Sequence, residues 1–428
     1  MKEKPNFISI IPLLVFVAIF LGSGLYFDNF YSLPSPIIAL FAIVVALLLY
    51  REMPIVKKIE LFFKGAGDKN VLQMCVIALL AGAFASVAKA SGSIDSIVNM
   101  GLYYVAPEYF PVGIFVISSF LSFATGTSVG TIMTLSPIVF GLALESHSNT
   151  ALIGASLLSG AMFGDNLSLI SDTTIAATQS LGCQMNEKMK ANARISLPMA
   201  LLTAILLLII GNPEAAHFTH QVSVQHFSIP LVLPYVAVVV LSLLGVNVFV
   251  SLFSGILFSG AMGIGYGKFG FLDFTHHTYQ GFMDMADIFF LYFLIGGLAL
   301  LVEHFGGIQY LMNLIAKRIK HKASALLGMG FLVTVADVCV ANNTVAILIV
   351  SKISKRLSET YRVPLRSAAS VLDIFSCYAQ GLIPYGAQVI ALYQFAHTMD
   401  YMSLVGYSIY LHLLLLGTLV YIYRRSNR

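Results

Sequence analysis

Residues 163–174 read Phe-Gly-Asp-Asn-Leu-Ser-Leu-Ile-Ser-Asp-Thr-Thr, a polar run inside an apolar segment that extends from 149 to 181. Glycine lets the backbone approach a bound group closely, and serine, threonine and asparagine side chains compete with helical hydrogen bonds. The run therefore predicts a helix that is unwound in its middle. Asp165 and Asp172 place two carboxyl groups at this break.

The composition assigns the chain to a broad class. Of its 428 residues 58% are hydrophobic and only 10% are charged, and the mean hydropathy is +0.87. Apolar segments of about 20 residues, the length of a membrane-crossing helix, follow one another along the chain. The sequence predicts an all-α polytopic membrane protein whose first apolar segment is retained as a helix, because no small-residue cleavage site follows it.

Ten spanning helices are predicted, five in each half of the chain. They lie near 7–27, 34–50, 71–89, 149–181, 196–211, 229–247, 250–266, 286–302, 366–397 and 403–423. Short amphipathic stretches are expected at 93–105 and 306–322.

Two further segments predict re-entrant hairpins, at 112–144 and 323–356. In the first, legs of 13 residues flank the polar run 125–131 and look too short to cross a bilayer. A hairpin tip at membrane depth must be buried in protein or line a wet cavity. The helix predicted at 366–397 contains a second break at 380–386.

The same order of features appears twice, which predicts one repeat over residues 1–215 and a second over 225–428. Locally, 92–99 and 306–313 share Gly, Ile and Asn at equal positions. Each half contains five crossings and one hairpin. Because the number of crossings is odd, the second repeat is expected to be inverted relative to the first. Inverted repeats with paired broken helices are typical of secondary transporters.

The basic residues predict the orientation. In the ten-span arrangement every one of the 24 Lys and Arg residues except Lys89 and Lys268 falls on one side, including a predicted basic loop with Lys188, Lys190 and Arg194. By the positive-inside rule that side is cytoplasmic. We expect a multi-pass protein of the inner membrane with both termini in the cytoplasm, in contact with lipid and not with nucleic acid.

Carboxylates inside apolar segments predict an ion pathway. Asp165, Asp172, Asp337 and Asp373 are such residues, and burying an unpaired charge costs about 2.5 to 3.5 kcal/mol on insertion scales. The alternative is that some of them only cap half-helices. Neighbouring oxygen and amide donors that suit a small hard cation are Thr127, Ser128, Asn166, Ser168, Ser171, Thr173, Asn342, Asn343 and Thr344.

Glycine and proline residues occur in or beside the same predicted helix breaks and hairpin tips. Gly126, Gly130, Gly164, Gly381, Pro384 and Gly386 are candidates for hinges or close backbone approach. Loose packing between membrane helices is the alternative explanation for the glycines. A carboxylate cluster of this kind holds either a proton or a cation, so the two compete and exchange can follow.

The three motifs at 125–131, 163–174 and 336–345 resemble those of the NhaC-type Na⁺/H⁺ antiporter family. The string Gly-Asp-x-x-Ser-x-x-Ser-Asp-Thr-Thr is the most specific of them, although Leu169 stands where many relatives have proline. The resemblance implies an ion site lined by Asp165, Ser168, Ser171, Asp172 and Thr173, with Thr127, Ser128, Asn342, Asn343 and Thr344 from the hairpin tips. It also implies a re-entrant hairpin and an unwound helix in each inverted repeat, and allows a homodimer by analogy.

Exchange of Na⁺ or Li⁺ for H⁺ is the leading hypothesis, with Asp172 and Asp337 as shared carriers and Na⁺ held by Asp172, Asp337, Ser171 and Asn343. The alternative is Na⁺- or H⁺-coupled transport of a small carboxylate or amino acid. The expected lack of a membrane-embedded Lys or Arg counts against a dianion. No His-Glu-x-x-His motif occurs, so the protein is not expected to be an enzyme, and no cofactor is expected beyond the transported ions.

Overall fold

The computed structural model describes residues 6–27, 33–51, 53–169, 171–211, 227–244, 246–316, 319–396 and 399–426. Within these ranges the regular structure is helical and no strand occurs, so the predicted all-α class is confirmed. The boundary between the two predicted repeats, between 215 and 225, lies outside the described residues, as do parts of the basic pattern near both termini and at 317–318.

The helices of the first half follow the predicted order with two additions. They are α1 (Ile11–Tyr26), α2 (Ser35–Leu49), α3 (Ile55–Ala66), α4 (Lys69–Ala90), α5 (Ser93–Tyr104), α6 (Phe110–Thr125), α7 (Ser128–Glu145), α8 (Thr150–Leu167), α9 (Asp172–Leu181) and α10 (Met185–Ile210). The additions are α3, for which no helix is predicted, and the first three turns of α10, for which the sequence predicts a basic loop.

The described helices of the second half repeat this order. They are α11 (Ile229–Leu243), α12 (Val248–Gly265), α13 (Phe271–Asp284), α14 (Ala286–His304), α15 (Gly307–Ala316), α16 (Lys322–Val340), α17 (Asn343–Thr360), α18 (Leu365–Leu382), α19 (Ala387–Tyr393), α20 (Tyr401–Tyr407) and α21 (Ile409–Ser426). Here α13 is the element that the sequence does not predict.

The helices form a multi-pass membrane protein. In the described part of the chain nine helical segments are long and apolar enough to cross a bilayer, or ten when one bent pair is counted as a single span. Large apolar side chains remain outside the packed core, among them Ile209 (74% exposed), Phe120 (65%) and Leu416 (57%). In water such a surface would be unstable, so lipid must cover it.

Two helix lengths and one bend differ from the prediction. The legs of the first hairpin, α6 and α7, have 16 and 18 residues, and the segments Pro107–Thr125 and Ser128–Glu145 are each long enough to span. The lengths of these two helices therefore do not indicate that the hairpin is re-entrant. The last predicted span, 403–423, is bent by 51° between α20 and α21. The predicted breaks are confirmed, since α8 ends at Leu167 and α18 ends at Leu382 before a new helix begins.

The connections inside the hairpins have the same geometry in both halves. α6 is followed by Gly126, whose φ is 69°, and α16 is followed by Ala341, whose φ is 49°. The next residue then caps the following helix: Thr127 Oγ1 accepts a hydrogen bond from the backbone N–H of Gly130, and Asn342 Oδ1 accepts one from that of Val345. Each hairpin thus turns within two residues.

The central helices α4 and α14 make matching contacts with α13 and α3. A Cβ atom on Gly82 would lie 2.3 Å from the carbonyl oxygen of Gly281, and one on Gly65 would lie 2.5 Å from that of Gly296. Gly82 and Gly296 are 214 positions apart, the offset seen between the repeated motifs. Only glycine permits backbones to approach so closely. The two halves therefore pack through the same kind of contact, made twice.

Candidate ion site

A cavity of about 70 Å³ lies where the hairpin tips meet the first helix break. At about 10 to 15 Å³ of such space per water it has room for roughly five waters. Both halves contribute to its wall, with polar side chains from α4, the two hairpin tips, the α8–α9 break and α19. These are Gln73, Thr127, Ser128, Asp165, Ser171, Asp172, Thr173, Asn342, Asn343, Thr344 and Gln388.

The Asp165 carboxylate is the buried charge in this wall, with a side chain only 4% exposed. Its Oδ2 accepts hydrogen bonds from Ser128 Oγ at 2.8 Å and from the Ser128 N–H at 3.3 Å. Its Oδ1 accepts one from Ser171 Oγ at 2.6 Å. Ser128 begins α7, and Ser171 immediately precedes α9. The carboxylate thus joins a hairpin tip to both limbs of the broken helix.

Further polar groups extend this network. The Ser171 and Thr173 hydroxyl oxygens lie 2.9 Å apart, and Gln388 Nε2 donates to Ser128 Oγ at 3.0 Å. Gln388 Oε1 has no hydrogen-bond partner among the described residues, although it is buried. This amide oxygen is an unused acceptor beside the cavity, which is the kind of group that a desolvated cation requires.

The second hairpin tip supplies the opposite wall. Asn343 Oδ1 accepts a hydrogen bond from the Thr344 N–H at 3.0 Å, and Asn342 Nδ2 approaches Met74 Sδ at 3.5 Å. Three helices, α7, α9 and α17, begin at the cavity, so the positive ends of three helix dipoles point toward it. Their field stabilises the Asp165 carboxylate as an anion.

Asp172 lies at the rim of the cavity. It is exposed, and its carboxylate makes no hydrogen bond within the described structure. Lys69, the first residue of α4, is close enough to interact with it electrostatically. Asp172 therefore marks the side on which the cavity opens.

Other predicted site residues lie away from the cavity wall. Asp337 is completely buried in α16, and neither of its carboxylate oxygens has a hydrogen-bond partner in the described part of the chain. Ser168 is buried within the first break. Among the predicted hinge residues Gly126 lines the cavity, Gly381 lies in the last turn of α18, and Pro384 and Gly386 lie in the second break. This break is tied to the second tip by Gln380 Nε2, which donates to the Ala341 carbonyl at 3.1 Å.

Asn166 and Asp373 belong to a separate buried cluster with Lys188 and Asn192. Lys188 Nζ lies 2.6 Å from Asp373 Oδ2, and both side chains are at most 1% exposed. Asn166 Nδ2 donates to the same Asp373 oxygen at 2.9 Å, and Asn192 Nδ2 does so at 2.7 Å. The predictions of a loop at Lys188 and of no embedded basic residue are wrong, because Lys188 lies on α10 and faces Asp373.

A profile described as the Na⁺/H⁺ antiporter family matches residues 5–212 and 218–423. The chain belongs to this family. The resemblance inferred from the three motifs is thereby confirmed.

Relatives of this antiporter-family chain are similar over part of their length. The malate-2H⁺/Na⁺-lactate antiporter of Bacillus subtilis is 28% identical over 199 residues, which cover 46% of this chain and 42% of that protein. The Na⁺/H⁺ antiporter NhaC of Alkalihalophilus pseudofirmus is 28% identical over 156 residues, 36% of this chain and 34% of the relative. An uncharacterized Na⁺/H⁺ antiporter of Haemophilus influenzae is 29% identical over 38% of this chain and 36% of its own.

These alignments span less than half of each relative. Among solved structures, the YdaH transporter of Alcanivorax borkumensis overlaps with 97% of this chain and 98% of its own, with a TM-score of 0.42 and 12% sequence identity.

A second, larger cavity of about 890 Å³ lies along the other end of α4 in this antiporter-family protein. Gln73 and Ile77 on α4 line the small cavity, whereas Ser86 and Lys89 on the same helix line the large one. Acidic side chains predominate in the large cavity, with Asp95, Glu145 and Asp284 against Lys89. The two cavities thus lie along one spanning helix, toward opposite ends.

The donor set of the small cavity fits an alkali cation. No group of three or more His, Cys, Asp or Glu side chains that could hold a metal occurs among the residues described. Carboxylate, hydroxyl and amide oxygens are instead the ligands of hard cations.

Sequence reasoning missed Lys188, Asn192 and Gln388. The first two had a signal: Lys188, Asn192 and Ser196 are four residues apart and form one buried polar stripe on α10. Gln388 had none, because a single glutamine in an apolar run does not show which side chain it will meet.

Proposed function

We propose that this protein exchanges Na⁺ or Li⁺ for H⁺ across the inner membrane, with its termini in the cytoplasm. The observation that carries the proposal is the buried Asp165 carboxylate, bonded to hydroxyls from two elements and facing a small cavity of oxygen and amide groups. Family membership supports the same activity.

Competition at Asp165 supplies the coupling. A cation in the cavity is stabilised by the carboxylate, by hydroxyl oxygens such as those of Ser128 and Ser171, and by the free Gln388 amide oxygen. A proton on Asp165 removes the negative charge that stabilises the cation, so the site holds one or the other. A site that faces each side in turn then moves the two ions in opposite directions.

The geometry revises the assignment of the carriers. The sequence-based hypothesis gave the shared role to Asp172 and Asp337, but Asp337 does not line the cavity and Asp172 lies at its rim. We assign the central role to Asp165, and to Asp172 the attraction of cations to the opening. Long-range attraction by a rim carboxylate raises the local cation concentration.

The two cavities suggest the route. The small cavity opens near Lys69, which the charge pattern places in the cytoplasm, and the large cavity lies toward Lys89, one of two basic residues expected outside. In our proposal the halves are inverted repeats, and movement of one part against α4 connects the ion site with the large cavity. The α4 helix, with 22 residues, is long enough to cross the bilayer beside both cavities.

The test is a pH-gradient dequenching assay in proteoliposomes, with Na⁺, Li⁺ and K⁺ added in turn. We expect dequenching by Na⁺ or Li⁺ and its loss in Asp165→Asn, by at least about 100-fold in rate, since a hydrogen-bonded charge at the site is removed. The control is Asp287→Asn, the same change at an exposed residue outside the cavity. Full exchange in correctly folded Asp165→Asn would refute the assignment.

A second candidate is exchange that includes a small carboxylate. One relative bears the name malate-2H⁺/Na⁺-lactate antiporter, and three helix N-termini at the cavity suit a carboxylate group. Against it, the buried Lys188 is neutralised by Asp373 and does not line the cavity. Counterflow of labelled lactate and malate separates the candidates, because a cation–proton exchanger shows none.

A further inference from the structure

We infer that Lys188 is a positioning residue, which holds the break between α8 and α9 in the shape that directs Asp165 into the cavity. One ammonium group bonds three separate helices: Asp373 Oδ2 on α18 at 2.6 Å, Thr174 Oγ1 on α9 at 2.7 Å and the Asn166 carbonyl on α8 at 3.2 Å. An ammonium group has three donors and no acceptor, so this set uses all of them.

The contacts with Asn166 and Thr174 bridge the limbs of the broken helix. Asn166 lies in the last turn of α8, where carbonyl oxygens lack partners within the helix, and Thr174 lies in the first turn of α9. Asn192 Nδ2 donates to the same Asn166 carbonyl at 2.9 Å. Because Asp165 is the residue that precedes Asn166, fixing the Asn166 carbonyl also restricts the direction of the Asp165 side chain. The gap in the helix is thus spanned by a side chain from α10.

Asp373 serves this arrangement by anchoring the ammonium group. Its Oδ2 accepts hydrogen bonds from the side-chain nitrogens of Lys188, Asn166 and Asn192. The carboxylate lies outside the cavity wall. A buried ion pair is costly to break from one side, because the remaining charge has no partner. We therefore assign Asp373 to holding Lys188, in place of the ion-binding role predicted from its position in the sequence.

The first test measures the break itself, independently of what is transported. Lys188→Gln, Asp373→Asn and the double variant, which pairs two neutral side chains, are compared with wild type by hydrogen–deuterium exchange. Each single variant is expected to raise amide exchange across the α8–α9 break at least about tenfold, whereas the double variant stays within about threefold of wild type. The second break, at 383–386, is the internal control. Lys190→Gln, an exposed lysine on the same helix, is the matched variant control.

The second test separates positioning from general stability, and this arm rests on the proposed function. In proteoliposomes the single variants are expected to raise the Na⁺ concentration for half-maximal exchange by about tenfold or more, and the double variant to recover most of that loss.

Unchanged amide hydrogen exchange at the α8–α9 break in folded single variants overturns the inference. A double variant whose break exchanges as fast as in the single variants overturns it as well. If the singles do not fold, the folded double variant must keep the wild-type break, or the inference fails. If the break responds as expected but the wild type moves no Na⁺, the transport proposal fails and the positioning role stands.

Discussion

Gln388 donates a hydrogen bond to Ser128 although the two residues are 260 positions apart, one on α19 and the other at the start of α7. Ser128 in turn donates to Asp165. The second half of the chain therefore reaches the buried carboxylate of the first through a single hydroxyl. In the proposed mechanism an ion held at Asp165 is bound by both halves, so its binding responds to movement of one half against the other.

Gln388→Leu is expected to weaken cation binding more than turnover. The substitution removes the donor to Ser128 and the free amide oxygen, and one hydrogen bond of this kind contributes about 1 kcal/mol, or roughly a fivefold change in half-saturating Na⁺. The measurement is the Na⁺ dependence of dequenching. Gln309→Leu, at an exposed site on α15, is the control and should match wild type. An unchanged half-saturation in Gln388→Leu would contradict the role of this amide.

Asp172→Asn is expected to weaken the electrostatic attraction of cations to the opening of the cavity. As a shared carrier, the role that the sequence predicts for it, Asp172 would be essential for exchange. Its exposed position without hydrogen bonds instead favours a rise of about threefold in half-saturating Na⁺ at low ionic strength. The difference from wild type should shrink as choline chloride is added, since salt screens exposed charges. A salt-independent loss of exchange would show instead that Asp172 binds the ion directly.

Asp337→Asn is expected to leave thermal stability unchanged or to raise it. A charged carboxylate without hydrogen bonds is costly to bury, and asparagine has nearly the same shape without the charge. The melting temperature of the purified protein, measured without Na⁺ and at saturating Na⁺, is the readout. A clear fall in melting temperature that Na⁺ no longer offsets would indicate that Asp337 is an ion ligand after all.

Gly164→Ala should disrupt the packing of α6 against α8. A Cβ atom there would lie 2.2 Å from the Ser119 carbonyl oxygen and 2.6 Å from the Phe123 nitrogen, both backbone atoms that cannot move alone. Overpacking of this kind costs about 1 to 3 kcal/mol, so a lower melting temperature is expected. Gly113→Ala on α6 is the control, because a Cβ atom added at Gly113 would have no neighbour within 4 Å. Equal melting temperatures would argue against the close approach.

The breaks and hairpin tips were predictable because their signals are local. Gly126, Asp165 and the Asn342–Thr344 run mark them in the sequence itself. The hairpin legs were predicted too short because the polar run 125–131 is typical of a loop. In the structure Thr127 caps α7 at once, and residues 128–131 are helical, with the side chains of Ser128, Val129 and Thr131 buried against protein.

The remaining errors concern pairing and amphipathic helices. Lys188 has a charge typical of a solvated loop, and only its partner on α18, 185 positions away, makes its burial possible. Likewise α3 and α13 carry lysines or histidines among apolar residues, so their sequences suggested loops. Their close contacts with α14 and α4, at Gly65 and Gly281, are tertiary contacts that a local sequence pattern cannot predict.

The paired glycine contacts restrict how this chain can vary. Gly82 accommodates the main chain at Gly281, and Gly65 accommodates that at Gly296, so a side chain added at Gly65, Gly82 or Gly281 would force apart an α3–α14 or an α4–α13 pair. A Cβ atom added at Gly296 would instead lie 2.8 Å from the Val71 side chain on α4. Each half thus limits the substitutions that the other can accept. If the close contacts hold these four helices together, the movement proposed for the transport cycle falls to the helices that lie outside them.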